Sequence, residues 1–288
     1  MGHYTRFRAY QLGECGASFS LSVEKHFTLI EARLTKVNAP HIVWEMNNLG
    51  IDHINTLHIT SWDNDHCKSG ELECILKYLK PERIEYPCYA PHTENGKASL
   101  KLIKNYNCSK YPIDPIFVKL VTKEPLKGKD LYYNPTETVD KSNDNSVVKF
   151  FRVGSFQVLS LGDCESSEIS EALANDEILK SEVDILILAH HGADNGFTTT
   201  EFLKALKPKV AICAADYGNK YGHPDKVITS RLSSLGIDYY STKTGDIIAQ
   251  TIDAKHYKVS NYIANNEEKE SVSPYSCKTW YISDVPKE

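Results

Sequence analysis

Short apolar alternations open the chain and helical spacings follow. Arg6 to Leu12 and Ala17 to Val23 alternate apolar and polar positions and His26 to Glu31 follows after a short turn, which predicts strands, with Gly13-Glu14-Cys15-Gly16 as a tight turn between the first two. Pro40 to Leu49 places Ile42, Val43, Met46 and Leu49 at helical spacing, and Gly50 stands where such a helix would stop. Ile54 to Thr60 reads as the next strand. Glu71 to Leu79, with Leu72, Ile75, Leu76 and Leu79 on one face, reads as an amphipathic helix closed by Lys80-Pro81. Arg83 to Pro87 is a short strand. The pattern then weakens: a helix from Lys97 to Tyr106, an apolar run from Phe117 to Thr122, and a surface loop over the polar stretch Asn134 to Asn145.

From Ser146 the alternation of strand and helix becomes regular. Val147 to Arg152 and Phe156 to Leu161 read as strands, Ser167 to Leu179 as a helix, and Val183 to Ala189 as an apolar strand. Thr200 to Leu206, Val210 to Ala214 and Asp225 to Leu235 follow as helix, strand and helix, the last stopped by Gly236. Strands with a turn at Thr244-Gly245-Asp246 fill 237 to 260, and the tail from Asn261 is polar. Strands clustered early and alternating with helices later predict a layered α/β domain. No internal repeat is visible. The expected organisation is one domain over 1–260, with 88–147 as an irregular insertion and 261–288 as a C-terminal extension.

Chemistry-bearing residues gather where apolar strands end. The run Leu57 to Thr60 breaks into Ser61-Trp62-Asp63-Asn64-Asp65-His66, Phe156 to Leu161 ends in Gly162-Asp163, and Val183 to Ala189 ends in His190-His191-Gly192. His223 follows after a further loop. Strand ends on one edge of a sheet converge, so distant segments can build one site. Carboxylates mixed with imidazoles suit zinc, manganese or iron better than calcium. Each cluster also has a plainer explanation: Asp63, Asp65 or Asp163 as helix caps, His190-His191 as one buried and one solvent-facing ring, His223 as a turn residue. Four such clusters in one chain favour a shared metal site.

Composition narrows the setting. The 288 residues are 41% hydrophobic and 25% charged, as in ordinary globular proteins. No stretch approaches the roughly 20 apolar residues of a membrane span. The first residues lack an apolar segment, so a cytoplasmic location and no membrane association are expected. Eight cysteines without a C-x-x-C pair argue against a zinc ribbon or a disulfide scaffold. A net charge of −5 gives no global attraction to nucleic acid, though it leaves room for a local basic groove. The lysines at 97, 101, 104, 110, 119, 123, 127 and 129 read as a solvated surface.

The order T-S-W-D-N-D-H, then L-S-L-G-D, then D-I-L-I-L-A-H-H-G-A-D, then N-K-Y-G-H-P-D resembles the metallo-β-lactamase fold, over about residues 6 to 250. More narrowly it is similar to the soluble domain of the competence protein ComEC, whose members carry S-H-x-D-x-D-H, T-G-D, H-H-G-S and Y-G-H-P. The resemblance implies an αββα four-layer sandwich with a di-metal site at the sheet edge. It implies that Asp65 and His66 bind the second metal, that Asp163 bridges, and that His191 completes the shell. Asp63 matches a carboxylate of the first metal, His223 a ligand or phosphate contact, and His190 a supporting or catalytic group. Ser61 stands where the family has its leading histidine, so the expected content is one or two divalent ions, zinc or manganese. The activity implied is hydrolysis by metal-activated water, with Asp65, His190 and His223 as catalytic groups and a nucleic-acid or nucleotide-like phosphodiester as substrate. Hydrolysis of a small ester, lactone or amide, and a metal-poor relative that binds or regulates, are the alternatives.

Overall fold

The computed structural model describes residues 4–114, 129–133 and 138–279. Two β-sheets lie face to face. The first has nine strands in the order β15-β14-β13-β1-β2-β3-β4-β5-β6. Its members are β1 (Thr5–Ala9), β2 (Phe19–Val23), β3 (His26–Ile30), β4 (Thr56–His58), β5 (Arg83–Pro87), β6 (Ser109–Ile113), β13 (Ile247–Thr251), β14 (His256–Ile263) and β15 (Glu268–Ser276). The second has six strands in the order β12-β11-β10-β9-β8-β7. These are β7 (Leu131–Tyr132), β8 (Lys149–Phe151), β9 (Val158–Ser160), β10 (Ile185–Ile187), β11 (Val210–Cys213) and β12 (Asp238–Ser241). In each sheet antiparallel hairpins give way to parallel strands joined through helices.

Three hydrophobic layers define the architecture. Between the sheets, Phe7, Ala9, Phe19, Leu21, Ile247 and Val259 meet Phe156, Val158, Ile185, Val210 and Ile212. Outside the first sheet, α1 (Ala39–Leu49), α2 (Ser69–Cys74, extended by a π-helical turn Ile75–Leu79) and α3 (Glu94–Asn105) pack on β3 to β5. Outside the second, α4 (Ser167–Ala174), α5 (Glu177–Glu182), α6 (Thr200–Leu206) and α7 (Lys226–Ser234) cover the parallel strands. The result is the αββα sandwich expected from the sequence.

Several boundaries differ from the sequence pattern for local reasons. The single helix expected over Ser167 to Leu179 breaks in two, because the Asp176 side chain accepts hydrogen bonds from the backbone N–H groups of Ile178 and Leu179 and starts a new helix. The polar tail hides an edge strand. β14 runs across 260/261 and pairs with β15, whose Glu268, Lys269, Glu270 and Pro274 suit a solvent-facing sheet edge. The end of the expected surface loop folds inward: Asp144 and Asn145 are buried, and the Asp144 carboxylate accepts from the backbone of Glu165 and Ser166. The run Phe117 to Thr122 lies outside the described residues. All eight cysteines are free.

Candidate metal centre

The site forms where strand ends open at one edge of the sandwich. After β4 the chain turns through Ser61 to Cys67, and backbone bonds pin that turn to both neighbours: Ala17 N–H donates to the Asp65 carbonyl and Ala32 N–H to the His66 carbonyl. After β9, Gly162 adopts φ 55° and a Cβ there would lie 2.8 Å from Ser146 Cβ, so only glycine lets Asp163 follow in this position. After β10, His190, His191 and Gly192 take positive φ in succession, 45°, 54° and 80°. Two histidines in the left-handed region carry backbone strain that the surrounding packing must hold, a feature concentrated at functional sites. The His190 N–H donates to the Gly162 carbonyl, which ties the two turns together.

These turns deliver Asp65, His66, Asp163 and His191 to one point, with one candidate ligand atom from each lying within 4.8 Å of the others. His66 Nε2 is 2.8 Å from Asp163 Oδ1, and His191 Nε2 is 3.3 Å from Asp65 Oδ2 and 3.9 Å from Asp163 Oδ1. Each imidazole is held from behind. His66 Nδ1 faces Glu31 Oε1 at 3.1 Å, and His191 Nδ1 faces the Ala214 carbonyl at 2.8 Å. Glu31 is itself fixed by the Thr60 hydroxyl at 2.6 Å and the Thr60 N–H at 3.1 Å. With Nδ1 engaged as a donor, Nε2 is the nitrogen of each ring left to coordinate a metal once its proton is displaced.

Electrostatics favour positive charge at this point. Burial opposes the imidazolium of His66, but Asp163 and Glu31 outweigh it and hold its pKa well above the ordinary value. Burial likewise opposes charging of His191, yet Asp65 and Asp163 raise its pKa. The carboxylates respond in kind: burial works to raise Asp65 and Asp163, and the two imidazoles overcome it and lower both. Two carboxylates and two imidazoles in a site that favours positive charge fit a divalent metal, which would take the place of the imidazolium protons. His66 Nε2, His191 Nε2 and Asp163 Oδ1 are buried and face only the other members of the cluster, as atoms that converge on a shared ligand would.

The other candidate residues surround this centre. Asp63 is outside the four-group cluster: its carboxylate accepts from the Ser61 hydroxyl at 3.1 Å, and burial raises its pKa. Ser61 and Asp63, the positions that resemblance assigns to a first metal, are thus bonded to one another. His58 is fully buried against Glu85 and belongs to a different network. His190 and His223 face each other with ring centroids 6.1 Å apart, His190 Nδ1 lies 2.7 Å from Glu165, and Tyr221 stacks on His223 at 5.8 Å. Burial lowers the pKa of His223. Glu165 escaped the sequence reading. Its one signal was position, two residues after Asp163, and its partner His190 is distant in sequence. Gly192 joins the segments, because a Cβ there would sit 2.8 Å from Pro224 Cβ.

Asp65, His190, His191, Glu165 and His223 line a cavity of about 540 Å³, together with Cys15 and Gly16. No protein-family model matches the chain, and no curated protein matches it in sequence. Solved structures do match. The metallo-β-lactamase fold protein YhfI from Bacillus subtilis superposes with a TM-score of 0.54 at 10% identity, covering 85% of this chain and 100% of its own. The fold is that of the metallo-β-lactamases. A mutant of the β-hydroxylase CmlA, 12% identical, matches this metallo-β-lactamase fold with a TM-score of 0.50 over 86% of this chain and 54% of its own. Tm1679, described as a metal-dependent hydrolase of the β-lactamase superfamily, matches at 14% identity and a TM-score of 0.48, covering 83% of this chain and 96% of its own. The four-group cluster lies at the edge of the two packed sheets of that fold. No helix among the described residues is long and apolar enough to cross a membrane.

Proposed function

We propose that the protein is a metal-dependent hydrolase with one divalent ion, zinc or manganese, held by Asp65, His66, Asp163 and His191. The observation that carries this reading is the convergence of candidate ligand atoms from Asp65, His66, Asp163 and His191 within 4.8 Å of one another, next to a substrate-sized cavity. The fold alone does not select the reaction, since one matching structure is named a β-hydroxylase. The donor set is oxygen and nitrogen only, and the cleft beside it carries imidazoles suited to proton transfer. A single ion is supported by the place of Asp63 outside the four-group cluster, its carboxylate bonded to Ser61. A divalent ion in this site would supply Lewis acidity, polarising an ester or phosphoryl oxygen and acidifying water.

The protein's own groups do the rest. Glu31 and the Ala214 carbonyl keep His66 and His191 in the ligand tautomer. Glu165 orients His190 at the cleft wall, where its other nitrogen is placed to protonate a leaving oxygen. Burial keeps His223 neutral near pH 7, so it is suited to accept a proton or a hydrogen bond. The cavity lining among the described residues includes Asp65, Glu165, Asp194, Asp216 and Asp225 but no lysine or arginine. Carboxylates repel a polyanion, which supports a small ester, lactone or amide over a nucleic-acid strand. A small phosphodiester is the second reading, favoured by the facing pair His190 and His223.

Elemental analysis and a substrate panel test this. Wild type grown in zinc- or manganese-supplemented medium should carry one ion per chain, and His191→Ala should carry far less. Metal-loaded protein should turn over nitrophenyl esters or lactones faster than bis-p-nitrophenyl phosphate and leave single-stranded DNA intact. Stoichiometric metal with turnover of phosphodiesters alone would reverse the substrate preference, and absence of bound metal would refute the hydrolase.

A further inference from the structure

The outer face of the first sheet is covered by helices over β3 to β5, but its other flank is built differently. On β1, β13 and β14 the inward residues Phe7, Ala249 and Val259 enter the core between the sheets. Alternation then turns their neighbours outward, and the register places Arg6 beside Gln250 and Gln250 beside Lys258, with Arg8, Ile248 and Ser260 in the adjoining row. Lys269 arrives from β15 opposite Tyr262, and α1 adds Trp44 along one side. Together these residues line a concave cavity of about 400 Å³ that shares no lining residue with the metal cleft.

This cavity is short of negative charge. Its counter-ions are Glu45, which binds Arg6 Nε at 2.7 Å, and Asp246, which engages Arg8 and is fully buried. Arg8 forms the floor, 6% exposed, and its charge is answered locally. Lys258 and Lys269 have no ion pair among the described residues. A pocket that gathers four cations against two carboxylates bears a standing self-repulsion that an anion relieves. Its walls also carry two aromatic plates. Trp44 is 55% exposed with the Arg6 guanidinium 5.8 Å from its ring, and Tyr262 has Lys269 Nζ 5.5 Å from its ring. An exposed indole in the same cavity as two lysines without an ion pair among the described residues suits a ligand that joins a planar ring to an anionic group.

We infer that this cavity binds a nucleoside phosphate, the phosphates at Lys258 and Lys269 and the planar base against Trp44 or Tyr262. The site is separate from the chemistry at the metal, so it is an effector or docking site and not the place of hydrolysis. The inference stands whether or not the hydrolase reading does.

Among the described residues Trp44 is the exposed tryptophan, Trp62 being 2% exposed, and the Trp44→Phe variant separates its emission from that of Trp280. The full-length protein is titrated with ADP, adenosine and inorganic pyrophosphate, following tryptophan emission and, in parallel, heat by calorimetry. ADP is expected to bind saturably, with adenosine and pyrophosphate each weaker by roughly tenfold or more, and with affinity falling as salt rises. Trp44→Phe should abolish the emission change but leave the calorimetric signal. Lys258→Glu and Lys269→Glu, both at the rim and remote from the core, should each weaken ADP by roughly tenfold or more. His191→Ala should leave ADP binding intact, which separates this cavity from the metal cleft. The inference is overturned by absence of saturable ADP binding, by charge reversals without effect, by equal affinity for adenosine, or by loss of binding in His191→Ala.

Discussion

Glu31→Gln isolates how the fold supports its candidate metal centre. The Glu31 carboxylate accepts three hydrogen bonds, from His66 Nδ1 at 3.1 Å, the Thr60 hydroxyl at 2.6 Å and the Thr60 N–H at 3.1 Å. A glutamine has one acceptor oxygen, so either orientation of its amide sets an N–H donor against His66 or against the Thr60 backbone. The glutamine is also neutral, and His66 loses the negative charge that raises its basicity. Removing such a partner of a metal-ligating histidine typically weakens metal affinity 10- to 100-fold, about 1.4 to 2.7 kcal/mol. The mismatched donor in a buried site adds about 1 to 3 kcal/mol of lost fold stability independent of metal. Competition against a chromophoric chelator measures the first effect, and urea unfolding of metal-free protein measures the second. Wild-type zinc affinity in a variant that retains native near-ultraviolet circular dichroism would show that Glu31 does not orient His66, and the reasoning would fail.

The raised pKa of His66 gives a pH dependence of known sign. The folded state binds this proton more tightly than the unfolded chain, so its contribution to metal-free stability is complete below about pH 6.5 and is lost as pH rises through the higher folded value. Metal must displace that proton, so zinc affinity should climb over the same range; flat affinity from pH 6 to 9 would contradict it. Burial pushes the Asp184 carboxyl up to about 7, so the folded state keeps a proton that the unfolded chain releases near its ordinary value of about 4. Stability should therefore decline from about pH 4 to about pH 7 through this residue, and Asp184→Asn should lessen that slope in urea titrations, an unaltered slope arguing against it. Lys149 and Glu85, each 3% exposed, join the two sheets at 2.7 Å. Lys149→Met should cost less than the about 3 to 5 kcal/mol of a fully stranded buried charge, because Glu85 keeps Arg83 at 2.8 Å and His58 at 2.9 Å, and Lys149→Met with Glu85→Gln should recover part of it. A double variant as unstable as the single one would mean that the charge pair is not the cause.

Much of the architecture is legible along the chain because each sheet buries its inner face. Phe7 and Leu21 alternate with polar neighbours, and the apolar run of β10 marks a strand buried on both faces. The helix Thr200–Leu206 matches its expected bounds, since Thr199 caps its start and Lys207-Pro208 ends it. β15 was not legible. Its residues alternate weakly and are mostly exposed, and only pairing with β14 makes them a strand. The break between α4 and α5 turned on one aspartate side chain choosing backbone donors over solvent.

The site divides along the same line. Residue type and placement at strand ends single out Asp63, Asp65, His66, Asp163, His190, His191 and His223, because a turn after a buried strand is where polar groups can converge without burying their backbone unpaired. Which of them meet is a matter of distance. Packing two sheets brings Asp65, His66, Asp163 and His191 within 4.8 Å, ties Asp63 to Ser61, and leaves His190 and His223 facing each other across the cleft. The supports behind them, Glu31, Glu165 and the Ala214 carbonyl, come from elements far apart in the chain. Periodicity records which face of a strand is buried, and only the folded chain brings those distant side chains into contact.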